Sequence, residues 1–139
     1  MPRFDQVAIG DEIPTQRETI EQERLIAYAG ASGDHNPLHW DPDFAAEVSP
    51  TGGVIAHGML NMGIVSRVVA AWAGGPDRVR RLSASFRAPC PVGSTVTYGA
   101  TVVELDDAER TATLAVWAEL EDGAKVIDRR SSRAVVALE

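Results

Sequence analysis

The chain has 139 residues, 45% hydrophobic and 24% charged, with a formal net charge of −7. That length and composition predict a single globular domain over residues 1–139 with a sizeable core, and the acidic balance argues against nucleic acid or an anionic membrane surface as a partner. The one cysteine, Cys90, excludes an intrachain disulfide framework and a zinc ribbon, and between Pro89 and Pro91 it reads as a structural thiol.

Met1-Pro2-Arg3-Phe4-Asp5 lacks the apolar stretch of a signal peptide, so the chain reads as cytoplasmic. Residues 1–18 read as an irregular lead-in or a short strand. Thr19 and Gln22 have capping-box spacing, and Leu25, Ile26 and Ala29 recur at helical spacing. A helix is therefore predicted over about 20–30, ended by Gly30 and Gly33. Asp34 to Asp41 cannot be a helix interior, because Pro37 lacks an N–H and pushes Asn36 out of helical dihedrals. Asp41 then predicts an N-cap, with Pro42 opening a short helix.

Ser49 to Gly53 reads as a loop. From Val54 to Ala73 the chain is almost wholly apolar, broken by His57, Asn61, Ser66 and Arg67. The run is long enough for a membrane span, yet its polar interruptions and missing basic flank predict a buried central helix, stopped by Gly74-Gly75-Pro76. Period-2 alternation then predicts strands at Leu82–Arg87, Val96–Val102, Ala112–Leu120 and, as one long last strand, Lys125–Leu138. One buried helix followed by antiparallel strands is an α+β arrangement with the sheet wrapped on the helix. Two local basic groups, Arg78/Arg80/Arg81/Arg87 and Arg129/Arg130/Arg133, could meet a small anion or be solvated strand faces.

Ala29-Gly30-Ala31-Ser32-Gly33-Asp34-His35-Asn36-Pro37-Leu38-His39-Trp40-Asp41 crowds ionisable and conformationally special residues. Metal binding by His35 and His39 has zincin-like spacing, but that motif needs a helix and a glutamate where Asn36 stands. Hydrolysis through Ser32 lacks the nucleophile-elbow pattern. Acid–base chemistry by Asp34 and His39 suits an imidazole that gives and takes protons near neutral pH. On an ideal helix these two would lie about 140° apart, so the turn at Asn36-Pro37 is what lets them converge. A purely structural reading, with Asp34 capping a turn and His39 half-buried, competes with this. His57-Gly58 tips the balance: at the start of a buried helix, free N–H groups and the helix dipole favour negative charge on a carbonyl oxygen, and Gly58 admits a close approach. His57 itself reads as site-shaping.

Tyr28 to His39 strongly resembles the hydratase-2 motif of MaoC-like dehydratases, and Ile55-Ala56-His57-Gly58-Met59-Leu60 matches their second signature. Ser85-Phe86-Arg87-Ala88-Pro89 with Pro91-Val92-Gly93 fits a later strand and turn. Asn36 to Asp41 and His57 to Ile64 are similar to the catalytic B subunits of actinobacterial (3R)-hydroxyacyl-carrier-protein dehydratases. The resemblance implies a hotdog fold, a five-stranded antiparallel sheet curled around the long helix. It also implies reversible hydration of a trans-2-enoyl thioester to the (3R)-hydroxyacyl thioester without metal or other cofactor. Asp34 and His39 become the dyad that holds the reacting water, supported by Asn36 and Ser66. Gly58 becomes the donor to the thioester carbonyl. Apart from the resemblance, His57, Met62, Gly63 and Arg87 are further candidates for substrate binding: Met62 and Gly63, small or flexible residues of the central helix, along the acyl tail, and Arg87, which no motif supports, as a cation for the pantetheine phosphates. The implied substrate is an acyl-CoA or acyl-carrier-protein thioester. The implied assembly is a homodimer or a heterodimer with a hotdog subunit lacking the dyad. Thioesterases and silent partner subunits share the fold, but the former do not use this cluster and the latter would have lost part of it.

Overall fold

The computed structural model describes residues 1–139. Its centre is α3 (Gly58–Ala73), whose Leu60, Ile64, Val65, Val68 and Val69 are buried. The other helices are α1 (Gln22–Ser32) and α2 (Pro42–Val48). Six strands, β1 (Gln16–Thr19), β2 (Val79–Ser83), β3 (Thr95–Asp106), β4 (Thr111–Leu120), β5 (Lys125–Ile127) and β6 (Arg133–Ala137), form one sheet. Its order is β1-β3-β4-β6-β2, with β5 also paired to β4. All pairings are antiparallel. The sheet curls on α3, which packs against β2 through β6. On β4 the inward residues Ala112, Leu114, Val116 and Ala118 are fully buried while Thr111, Thr113 and Trp117 face out, the two-residue pleat seen in the sequence. The long helix wrapped by an antiparallel sheet is as expected, with six strands rather than five.

Three local expectations are corrected. Thr19 does not cap α1: it belongs to β1, where its Oγ1 lies 3.0 Å from Thr95 Oγ1, and the N-cap is Glu21 without a side-chain bond. The helix also runs past Gly30 and ends at Gly33, whose φ of 76° is left-handed. Leu82–Arg87 is not one strand. Its pairing starts earlier, at Val79, and stops at Ser83, because Ser132 Oγ takes the Ser85 N–H at 2.9 Å in place of a ladder bond. Lys125–Leu138 is not continuous either. Asp128 Oδ1 accepts from the Arg130 N–H at 3.1 Å, and the resulting turn splits β5 from β6. The two pieces lie end to end along β4, opposite Ala118–Glu119 and Thr111–Ala115 respectively.

Candidate active site

The loop from Gly33 to Asp41 is shaped by its own side chains. Asp34 Oδ1 accepts from the Asn36 N–H at 3.2 Å, and Asn36 Oδ1 accepts from the Leu38 N–H at 3.1 Å. These two turns in series set up one 3-10 turn, Pro37–His39, which swings His39 back toward Asp34. Asp41 caps α2, accepting from the Asp43 and Phe44 N–H groups at 3.0 and 3.3 Å. Asp34 and His39 do converge: His39 Nε2 stands 3.9 Å from Asp34 Oδ2. That gap is too long for a direct hydrogen bond and suits one shared water.

The strand-like lead-in to α3 fixes the imidazole. The Ile55 carbonyl lies 2.7 Å from His39 Nδ1, so Nδ1 carries the proton and donates. In the neutral ring this leaves the Nε2 lone pair facing Asp34. Ile55 is itself held by its N–H to the Leu38 carbonyl at 3.3 Å, and the Ala56 N–H donates to the Cys90 carbonyl at 2.8 Å. His57 is 2% exposed and its ring stacks on that of His39, with centroids 3.9 Å apart and 24° between planes. Desolvation lowers its pKa below the ordinary 6.5, so it is neutral.

His57 is the N-cap residue of α3 and makes no side-chain capping bond. The Gly58 and Met59 N–H groups accordingly have no partner. Gly58 lines a cavity of about 400 Å³ with His39, Asn61, Phe86, Arg87 and Cys90. The Phe86 ring packs so closely over Gly58 that a Cβ there would sit 3.2 Å from it. At the cavity floor Tyr98 donates its hydroxyl to Asn61 Oδ1 at 2.6 Å, with both side chains buried. Burial raises the Tyr98 phenol well above its usual range and pushes the Cys90 thiol up to about 11. Arg87 reaches the cavity but pairs with Asp128 at 3.3 Å. The Asp128 carboxyl is held below its usual range, first by the Arg130 N–H and then by Arg87.

Asp34, His39, Asn36, His57 and Gly58 are thus gathered in one place, and Arg87 lies at the same cavity. Gly63 and Ser66 line a second hollow, a groove of about 580 Å³ farther along α3, with Arg67, Ala70 and Gly74. Met62, about 40° around the helix from Gly58, lies on the face between the two hollows. His35 is separate from the dyad. It borders a small hollow with Ile26 and Trp40, and its carbonyl accepts from Trp40 Nε1 at 2.9 Å. The three donors that do approach one another, within 4.8 Å, are Asp34, His39 and His57. Sequence reasoning missed the Ile55 carbonyl, the Asn61–Tyr98 pair and the Phe86 contact. Only Asn61 left a trace there, as a polar residue in an apolar run.

The family model described as MaoC like domain matches residues 5–123. The 3-hydroxybutyryl-CoA dehydratase of Methylorubrum extorquens is 34% identical over 107 residues, covering 76% of this chain and 68% of its own. Among solved structures, the (R)-hydratase from A. caviae involved in PHA biosynthesis is 30% identical with a TM-score of 0.85, covering 96% of this chain and 98% of its own. A MaoC-like dehydratase reaches a TM-score of 0.91 at 34% identity over 99% of this chain, which spans 42% of that longer protein. No helix of the chain is long and apolar enough to cross a membrane. With its hotdog architecture, its family match and relatives named as a 3-hydroxybutyryl-CoA dehydratase and an (R)-hydratase, the chain belongs to the MaoC-like dehydratase family.

Proposed function

We propose that the chain interconverts a trans-2-enoyl thioester and its (3R)-3-hydroxyacyl thioester, with Asp34 and His39 as the acid–base dyad. The observation that carries this reading is the 3.9 Å gap between His39 Nε2 and Asp34 Oδ2, with the Nε2 lone pair turned into it. In the hydration direction, the water held there attacks C3 of the enoyl group. The dyad takes one proton from that water and returns one to C2, ending in the state in which it began. The reaction adds the elements of water and nothing else.

Negative charge grows on the thioester oxygen as C3 is attacked. The partnerless Gly58 N–H, at the positive end of a 16-residue helix, is the donor assigned to that oxygen. Asn36 holds the turn that carries the dyad. Proton transfer is favoured over metal ligation because His57 Nε2 carries the proton it donates to the Asp34 carbonyl and so offers no lone pair beside His39 Nε2. The acyl tail would leave Gly58 past Met62 into the groove of Gly63 and Ser66. A pantetheine arm, from coenzyme A or a carrier protein, would leave past Phe86, its phosphates drawing Arg87 off Asp128. The outer edge of β2 is unpaired, and we assign it to a second hotdog subunit, identical or dyad-less.

The test is the loss of conjugated enoyl-thioester absorbance with trans-2-enoyl-CoA substrates. Asp34→Asn and His39→Ala should each abolish turnover while leaving the fold intact by circular dichroism. Full activity in either variant rejects the dyad.

A further inference from the structure

One buried side chain touches both members of the dyad. The His57 ring lies flat against His39 at 3.9 Å, and its Nε2 is 3.2 Å from the backbone carbonyl of Asp34, to which it donates. Tyr28 closes the far side, edge-on to His57 with ring centroids 4.8 Å apart. The row Tyr28–His57–His39 therefore ties α1, the lead-in to α3 and the catalytic loop together. Asn36 also bridges the two through its backbone, accepting from the His39 N–H at 3.0 Å and donating to Asp34 Oδ1 at 3.2 Å, whereas His57 does so with its side chain.

His57 cannot do the proton transfer itself. Donation to the Asp34 carbonyl fixes the proton on Nε2 and leaves Nδ1 as the acceptor, and Nδ1 is buried without any partner. A second proton on Nδ1 would create a charge in a dry pocket beside His39, which must itself become cationic if it takes the water's proton. The titratable groups that face His57 are Asp34, His39 and Tyr28. Asp34 alone among them carries a negative charge, and it offers His57 its carbonyl rather than its carboxylate.

We propose that His57 is a positioning residue of the reaction, which stays neutral and holds the spacing of the dyad by clamping the His39 ring with its face and the Asp34 backbone with its N–H. The proposal rests on the dyad reading above. It assigns His57 no contact with substrate, so its loss should act on turnover rather than on binding.

Two substitutions separate the contacts. His57→Phe keeps an aromatic face against His39 and loses the donor; His57→Gln keeps a donor and loses the ring. Each should lower kcat by about tenfold or more, since sub-ångström misplacement of reacting groups costs on that scale. KM should stay within about a factor of two. The acid limb of the kcat/KM profile should also move, because the environment of His39 changes; a residue that only fills space would leave that limb in place. A loss confined to one variant supports the proposal and names the contact that carries it. Two variants with kcat and acid limb both unchanged overturn it, as does a loss that appears only as a raised KM or as unfolding in a melting curve. Failure of the dyad reading would look different, since Asp34→Asn and His39→Ala would then remain active whatever the His57 variants did.

Discussion

Gly58→Ala is the sharpest perturbation of the proposed carbonyl site. The added Cβ would meet Phe86 Cδ2 and Cε2 at 3.2 Å, against an ordinary carbon–carbon contact of about 3.5–4.0 Å. The ring must therefore retreat by a few tenths of an ångström. Phe86 is 44% exposed and outside any strand, so it can do so. Alanine is also the better helix former by up to about 1 kcal/mol, and the two effects nearly offset in stability. The melting temperature should shift by less than about 4 °C. Activity should not be spared, because the methyl group occupies the approach to the Gly58 N–H. Loss of one preorganised donor to a developing oxyanion costs about 100-fold in kcat or more. The assay is enoyl-thioester absorbance beside a thermal melt, repeated in a Phe86→Ala background where the steric conflict is gone. If the donor matters, Gly58→Ala costs the same factor in both backgrounds. Near-normal kcat in Gly58→Ala, or full recovery on adding Phe86→Ala, would refute the reasoning and reduce Gly58 to a packing requirement.

Gly63→Leu should shorten the longest acyl chain accepted without loss of stability, since a Cβ at Gly63 meets nothing within 4 Å and points into the groove; an unchanged chain-length profile rejects that path for the acyl tail. Tyr98→Phe leaves the buried Asn61 Oδ1 without its donor and should cost about 1–3 kcal/mol in urea denaturation, while Tyr98→Phe with Asn61→Leu should recover part of that. The lowered pKa of His57 makes stability depend on pH in a definite direction. The unfolded chain takes up this proton first as pH falls through about 6.5, so the folded state loses stability below that value until the folded pKa is reached. Urea midpoints compared at pH 7.5 and 5.5 should show the decline, and His57→Phe should flatten its share of it.

What was legible in the sequence is what local chemistry decides. Pro37 and Asn36 had to break the chain, Asp41-Pro42 had to start a helix, and the apolar run ending at Gly74 had to be buried. Each is a statement about a few neighbouring residues, and each survives in the fold. Long-range contacts decided the rest. Thr19 has a respectable capping partner in Gln22, but Thr95 competes from 76 residues away, and Gln22 instead donates to the Trp40 carbonyl at 2.8 Å. Residues 125–138 alternate well enough for one strand, yet Asp128 followed by two arginines and two serines is a turn once Asp128 bonds its own backbone. In the site, the dyad and Gly58 stood out as unusual residue types. The Ile55 carbonyl could not, because a backbone oxygen has no letter in a sequence. His57 stood out by type, but nothing in its spacing told that it would stack on His39.

The first turn of α3 also bears on how long the protein lasts. A serine or aspartate at position 57 would add about 1 kcal/mol through a cap, which histidine forgoes. A ligand that brings an acceptor oxygen to those free N–H groups makes good the deficit, and it binds only the folded chain. At a concentration of 100 times its Kd, such a ligand adds about 2.7 kcal/mol to stability. The ligand-free protein is then the fragile form, the one most open to transient unfolding and proteolysis. A saturating enoyl thioester should accordingly slow proteolysis of the chain.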